Sequence, residues 1–427
     1  MNICVIGLGK IGLPLAVHFA KMKNNVIGAD INELTVDSIN QGLEPFPQEE
    51  NLQSFLSEVI REGNLKAVTN NVEAVSVSDV VIVVVPLFVD GNANPDFSAM
   101  DSVSRDIAAG IKPGTLISYE TTLPIGTTRN RFLKILEEGS GLKVGEDFYL
   151  VFSPERVLTG RVFADLKRYP KIVGGITKEC TQKGVEFYEG VMNFDFRSDL
   201  VKPNGVWRMN SCEEAEFVKL AETTYRDVNI GLANQFAIFA TEMKLDVYNV
   251  INAANSQPYS HIHTPGISVG GHCIPIYPQF YLWNDPKASV VRAAREVNAS
   301  MPSRALEMIE SKIGSVEGLN VAILGIAYRP RVKETAFSGS LELLRILNSV
   351  GANVYGLDPL YSTLELESLG FREIENLNEM DVVILHTAHE EFHEIDFSSY
   401  AEVRIILDGR NFLEINGRLE DNRIIKI

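Results

Sequence analysis

Apolar and polar positions follow two rhythms along this chain. Short runs of mostly β-branched residues (Asn2–Ile6, Asn25–Asp30, Val80–Val85, Leu116–Glu120, Tyr149–Phe152) are separated by stretches such as Leu13–Met22, where apolar residues recur at helical spacing. That alternation predicts βαβ units and a parallel sheet over residues 1–198. From about Glu213 to Ala254 the helical rhythm runs on through Phe217, Val218, Leu220, Ala221, Tyr225, Val228, Leu232, Phe236 and Phe239, which predicts one long helix. A further helix is predicted over Ala288–Ile313, broken or kinked at Pro302. Strand-like runs then return at Asn320–Gly325, Asn353–Asp358, Asp381–His386 and Val403–Asp408, with Ser340–Val350 as an intervening helix. The expected class is α/β: parallel-sheet domains over 1–198 and 306–427 flank a helical domain over 199–305.

A length of 427 residues accommodates roughly three domains. The net charge of −17 argues against a nucleic-acid partner or an anionic membrane surface. Four cysteines, Cys4, Cys180, Cys212 and Cys273, lie far apart without metal or redox spacing, and a reducing cytoplasm is their simplest setting. Met1 leads straight into a strand-like run, so no signal peptide is expected, and Val80–Val85 is too short to cross a bilayer.

The first strand-like run ends in Gly7-Leu8-Gly9-Lys10-Ile11-Gly12 at the start of a helix. Gly7 permits a tight turn, Gly9 lets backbone approach a pyrophosphate, and Gly12 allows close helix–strand packing, with Ile11 beside it at the helix start. Asp30 closes the second strand, where a carboxylate holds adenosine ribose hydroxyls and repels a 2′-phosphate. Strand, spacing and acid together predict a Rossmann-like domain binding NAD rather than NADP. The bland alternative is a glycine turn that binds nothing.

Cys273 sits in Val269-Gly270-Gly271-His272-Cys273-Ile274-Pro275. A thiol beside a nicotinamide cofactor can hold an aldehyde as a thiohemiacetal and then a thioester, and so oxidise an alcohol past the aldehyde. The flanking glycines let backbone and substrate come close, and a helix over Ile274–Leu282 would favour a thiolate at its N-terminus. Against this, a single cysteine is commonly a small buried hydrophobe, the reading given to the other three. Lys219, between Glu216 and Glu222, is either a snorkelling side chain or a buried proton-transfer group. Glu155, in Ser153-Pro154-Glu155-Arg156 after a strand, is either a ligand-facing acid at a strand end or a surface acid paired with Arg156. His386, His389 and His393 cluster among acids, but nothing else supports a metal there and none is expected.

Taken in order, Val5–Pro14, Ser153–Leu158, Val218-Lys219-Leu220 with Tyr225–Ile230, and Val269–Pro275 resemble the UDP-glucose/GDP-mannose dehydrogenase family over essentially the whole chain. The Gly-Gly-His-Cys form is similar to the branch oxidising UDP-N-acetylhexosamines. The resemblance implies an NAD-dependent oxidation of a nucleotide-sugar C6 hydroxyl to the acid, with UDP-N-acetyl-D-mannosamine as the expected substrate. UDP-glucose, or a non-catalytic nucleotide-sugar-binding homologue, is the alternative. It further implies that Cys273 is the nucleophile, Lys219 stabilises the oxyanion and contacts substrate, Glu155 activates water, and Thr122 lies near the nicotinamide. Gly270, Arg329 and Arg410 would meet the sugar nucleotide, and the central helices would form a homodimer core.

Several positions depart from the family pattern: Thr223 where Asn is usual, Tyr277 for Asp, Tyr259 for Arg, and Ala336-Phe337-Ser338 for Arg-Glu-Ser. Tyr259 and Ala336 remove charged contacts to the sugar, which leaves a dTDP-sugar open as well.

Overall fold

The strand-like runs form strands in the computed structural model, which describes residues 1–46, 49–413 and 421–427. The chain divides into two units, Met1–Glu222 and Thr223–Ile427, with the division falling inside the long helix Cys212–Met243.

The first unit is built on an eight-stranded sheet. Its spatial order is Val206–Arg208, Lys171–Gly175, Tyr149–Phe152, Leu116–Tyr119, Val80–Val83, Asn2–Ile6, Asn25–Ala29 and Leu65–Val68. Neighbours are parallel except Tyr149–Phe152 and Lys171–Gly175. Every residue of Val80–Val83 and of Leu116–Tyr119 is buried, as a parallel sheet covered on both faces requires. The order reverses between Asn2–Ile6 and Val80–Val83, and the crevice at the carboxyl ends of such strands is where doubly wound sheets bind ligands.

The second unit repeats the plan with six parallel strands, in the order Arg372–Glu373, Asn353–Leu357, Asn320–Leu324, Val382–Leu385, Ile405–Asp408 and Ile424–Lys426. Side chains alternate across this sheet. Val321 and Ile323 join one core with Leu343, Leu347, Met301 and Ile309, while Ala322, Leu324, Val383 and Leu385 join the other.

Two helical expectations change. The run from Glu213 to Ala254 is two helices, Cys212–Met243 and Val247–Asn255. Lys244 takes a left-handed φ of 57°, and the Asp246 side chain caps the second helix by accepting from Tyr248 and Asn249 N–H. Pro302 does not end its helix, which is continuous over Ser289–Ile313. Met301, Pro302, Ala305 and Ile309 are buried in it, and tertiary packing offsets the lost backbone bond. Leu65–Val68, Lys171–Gly175 and Val206–Arg208 are additional strands, each short and carrying one basic residue, Lys66, Lys171 or Arg208. Among the described residues no helix is long and apolar enough to cross a membrane.

Candidate active site

At the end of Asn2–Ile6 the chain turns through Gly7 (φ 91°) into the helix Gly12–Lys21. A Cβ on Gly12 would sit 1.8 Å from the Gly7 carbonyl oxygen, so only glycine closes this turn. Gly9 differs: it is exposed, and a Cβ there would meet nothing within 4 Å. Ile11 precedes the helix and packs on the core, and the helix carries no side-chain cap. Leu13 N–H already donates to Gly9 O at 3.1 Å and Pro14 has no N–H, so what the helix offers a phosphate is the positive end of its dipole and the backbone of the glycine turn. Asp30 accepts from Leu8 N–H at 2.8 Å and Asn32 N–H at 2.9 Å, which ties the second strand to the glycine turn. Each of its oxygens keeps a lone pair for a ribose hydroxyl. These residues fit NAD. Gly9→Ala is accordingly expected to leave Tm within about 2 °C of wild type while raising KM for NAD roughly tenfold or more. Gly12→Ala is expected to lower both Tm and NAD affinity. Thermal melts with NAD titrations check this, and equal Tm losses in the two variants would contradict it.

Three neighbouring strands of this sheet deliver a buried charge cluster. Glu120 follows Leu116–Tyr119, Glu155 follows Tyr149–Phe152, and Lys171 opens Lys171–Gly175. The last strand runs antiparallel to its neighbour, which brings its first residue to the end where both acids lie. Lys171 Nζ donates to Glu120 Oε2 at 2.7 Å and to Glu155 Oε2 at 2.9 Å. Tyr188 OH donates to Glu120 Oε1 at 2.5 Å and lies 2.7 Å from Ser118 Oγ.

Burial pushes the Glu120 carboxyl up to about 7. Burial also works against the charge of Glu155, but the Lys171 ammonium, the Arg156 N–H and Lys219 outweigh it and hold Glu155 below the usual carboxylate range. Lys219 is buried, so it is not a snorkelling lysine. Nor is Glu155 a surface acid paired with Arg156: the Arg156 guanidinium binds Glu222 at 2.8 Å, and only its backbone N–H reaches Glu155. Thr122 is buried on the loop after Glu120. Thr121 anchors that loop to Val85 O at 2.7 Å, and Glu216 on the long helix accepts from Gly126 and Thr128 N–H. Reading the sequence brought out neither Lys171, Glu120 nor Tyr188. The one available signal was a lysine beginning the β-rich run Lys171-Ile172-Val173.

Cys273 belongs to the second unit, and its thiol is exposed, whereas Cys4, Cys180 and Cys212 are buried. Burial pushes the Cys4 thiol up to about 12 and that of Cys212 higher still, as packing residues require. The expected helix begins at Tyr277 rather than Ile274, and the Cys273 carbonyl accepts from Tyr277 N–H at 2.9 Å. The glycines also have a close neighbour within the protein. A Cβ on Gly270 would lie 2.6 Å from Tyr328 Cβ, and one on Gly271 would lie 2.9 Å from the Tyr328 ring. Their smallness lets the loop close on the protein's own Tyr328.

Other bonds pin the same loop. Gly266 N–H donates to Asn234 Oδ1 at 3.0 Å and Gly271 N–H to Ala336 O at 2.8 Å, and His272 pairs with Glu334 at 2.5 Å. Ser268 Oγ meets His386 Nε2 at 3.1 Å, and His386 Nδ1 meets Gly325 O at 2.9 Å. Burial pushes His386 down to about 3, so the ring is neutral and its bond to the carbonyl makes Nδ1 the protonated nitrogen.

The remaining candidates fall near this loop or inside the fold. Arg410 Nε donates to the His386 carbonyl at 2.8 Å, while the Arg329 guanidinium lies 5.9 Å from the Tyr328 ring centre. His389 is 3.2 Å from Asp358 Oδ2, and His393 stacks on Phe412 at 4.0 Å. Asp358 also accepts from Ile326 and Ala327 N–H, repeating in the second sheet the tie that Asp30 makes in the first. Among the departures, Thr223 is buried, Tyr277 opens a helix, and Tyr259 is 93% exposed. Ala336 contributes a backbone carbonyl, which any residue could supply.

Residues 1–192 match the NAD binding domain of the UDP-glucose/GDP-mannose dehydrogenase family, 213–300 its central domain and 322–415 its UDP binding domain. The UDP-N-acetyl-D-mannosamine dehydrogenase of Pyrococcus horikoshii is 34% identical, covering 97% of this chain and 96% of its own. That of Campylobacter jejuni is 35% identical, covering 92% and 97%. A solved structure of the dehydrogenase from P. horikoshii superposes with a TM-score of 0.87 at 33% identity, covering 100% of this chain and 98% of that one. The UDP-N-acetyl-mannosamine dehydrogenase of Staphylococcus aureus gives 0.82 at 29%, covering 100% and 97%. With all three domains matched in order, the chain belongs to the UDP-glucose/GDP-mannose dehydrogenase family and is an NAD-dependent oxidoreductase.

Proposed function

We propose that this protein oxidises the C6 hydroxyl of UDP-N-acetyl-D-mannosamine to the carboxylate through a thiohemiacetal and a thioester on Cys273. The reading is carried by one observation: the exposed thiol on a glycine loop anchored throughout its length, in a chain similar to enzymes named for that substrate. Bound NAD supplies the hydride acceptor for each of the two oxidations. Residues 1–198 bind it, 199–305 carry the thiol loop, whose backbone at Gly270 meets the sugar nucleotide, and 306–427 take the nucleotide through Arg329 and Arg410.

In this reading Lys219 stabilises the C6 alkoxide and oxyanions with its buried positive charge. Cys273 adds to the C6 aldehyde, giving a thiohemiacetal whose oxidation leaves a thioester. Glu155, ionised, takes a proton from water as it attacks that carbonyl, and the thiolate leaves. Thr122 positions that water near the nicotinamide. One alcohol and one water are consumed, and one carboxylate, two hydrides and three protons are released.

A panel of UDP-N-acetyl-D-mannosamine, UDP-N-acetyl-D-glucosamine, UDP-glucose and a dTDP-sugar, followed by NADH release, tests the substrate. The mannosamine derivative is expected to give the highest kcat/KM, and preference for UDP-glucose would overturn the assignment. NAD is expected to exceed NADP in kcat/KM roughly a hundredfold, because Asp30 would face a 2′-phosphate across a short distance. Comparable values for the two cofactors would contradict this.

The long helix supports a homodimer. It is apolar on two sides: Ala215, Leu220, Ala233, Ala237 and Ala240 are buried, whereas Phe217, Tyr225, Leu232, Phe236 and Phe239 are exposed. An aromatic stripe of this kind is the patch a symmetric partner covers. Light scattering is expected to give twice the chain mass, and Phe236→Glu with Phe239→Glu to weaken the assembly. A monomeric wild type would exclude it. A reducing cytoplasm, which keeps the Cys273 thiol reduced, is the setting we assign.

A further inference from the structure

The buried cluster behind Glu155 has more parts than the reaction above uses. One ammonium, Lys171, serves two carboxylates, and a tyrosine and a serine extend the chain of bonds into the sheet. Lys171 and Glu120 have side chains 4% and 0% exposed, while Glu155, at 11%, is the member that reaches outward. An isolated carboxylate at such a depth takes up a proton rather than remain charged, and a neutral Glu155 could not act as a base.

We propose that Lys171 is a positioning residue for Glu155: it holds Oε2 of that carboxylate and keeps it charged, with Glu120 and Tyr188 locking the ammonium in place, so that the group is ready to accept a proton from the hydrolytic water. This rests on the roles given above to Cys273 and Glu155. The groups facing Glu155 are few. Lys171 and Lys219 are cations, and Glu120 is the competing acid. His18, on the helix Gly12–Lys21, feels Glu155 but lies buried with a ring nitrogen 3.1 Å from Val191 O, and burial pushes its ring toward the neutral form. Glu155 Oε1 accepts from Arg156 N–H at 2.7 Å and retains a lone pair for water. The arrangement also explains why Glu120 is present. With one ammonium hydrogen-bonded to two buried acids, the proton that relieves the surplus negative charge goes to the deeper Glu120, whose carboxyl is raised by burial, while the outer Glu155 stays ionised.

The sign follows from the charges. Losing Lys171 removes what stabilises the Glu155 carboxylate, so its affinity for a proton rises and hydrolysis fails at higher pH than before. Losing Glu120 removes a competitor, so the acid limb stays where it is or moves down.

The test uses the full-length protein with UDP-N-acetyl-D-mannosamine and NAD between about pH 5 and 9, a range spanning carboxylate and histidine titration. It reads kcat and the steady-state fraction of Cys273 adduct by intact mass. Lys171→Met is expected to move the acid limb of kcat up by about one unit or more, with adduct accumulating on its acid side. Lys171→Arg should restore the wild-type limb, KM for NAD should stay near wild type, and Glu120→Gln should not raise the limb. If Lys171→Met does not fold, the Glu120→Gln/Lys171→Met double variant, which removes one acid with the base, carries the same expectation. A wild-type acid limb without adduct in whichever of these folds would overturn the proposal, as would a raised limb in Glu120→Gln. Failure of the underlying reading looks different: Glu155→Gln itself would then turn over at the wild-type rate without adduct.

Discussion

Lys219→Ala is expected to lower kcat on UDP-N-acetyl-D-mannosamine roughly a hundred- to a thousandfold, the usual cost of removing a preorganised charge from a dry site. Lys219 is buried on the long helix and acts electrostatically on Glu155, so under the proposed mechanism its loss removes oxyanion stabilisation and part of the field on the acid assigned to activate water. Tyr277→Phe is expected to lower kcat by roughly tenfold or less, since a hydroxyl offers one positioning hydrogen bond and no charge near neutral pH. Tyr277 opens the helix after the thiol loop, and its ring packs 5.8 Å from Phe280, contacts a phenylalanine retains. Steady-state kinetics of the two variants give the ranking. Equal damage would make Tyr277 a catalytic residue and require a different mechanism.

Cys273→Ser is expected to reduce acid formation by roughly a thousandfold or more. A serine alkoxide is far less available than a thiolate near neutral pH, and an ester in place of the thioester would hydrolyse poorly. The fold should be indifferent to this change. The loop is held through Gly266, Ser268, Gly271 and His272, and the exposed sulfur anchors none of these bonds. An unchanged Tm with lost turnover is therefore the expected pair of results, measured by thermal melting and product analysis. Acid formation at the wild-type rate would remove Cys273 from the mechanism.

Local chemistry was the legible part of this protein. The glycine turn and Asp30 could be read directly because each requirement there, a left-handed φ at Gly7 and a Cβ-free Gly12, is set by a few adjacent residues. Strand alternation likewise exposed both sheets, since buried parallel strands are nearly continuous apolar runs. The helix break at Lys244 was hidden because apolar spacing continues across it, and only the Asp246 cap shows that the chain turns. The glycines beside Cys273 also accommodate Tyr328, a partner distant in sequence that local spacing could not reveal. Lys171, Glu120 and Tyr188 were least legible of all. They share no local spacing, and the antiparallel pairing of Lys171–Gly175 with Tyr149–Phe152 is what brings Lys171 to the two acids.

In the proposed reaction the oxidation passes through a thioester on Cys273 that Glu155 helps to hydrolyse. Intact-mass measurement of the Glu155→Gln protein, mixed with UDP-N-acetyl-D-mannosamine and NAD, tests it most directly. NADH release is expected to stall after the first turnover, together with a covalent sugar-nucleotide adduct that maps to Cys273 and is absent when Cys273 is also replaced by Ser. Full turnover by Glu155→Gln with no adduct on the protein would contradict it.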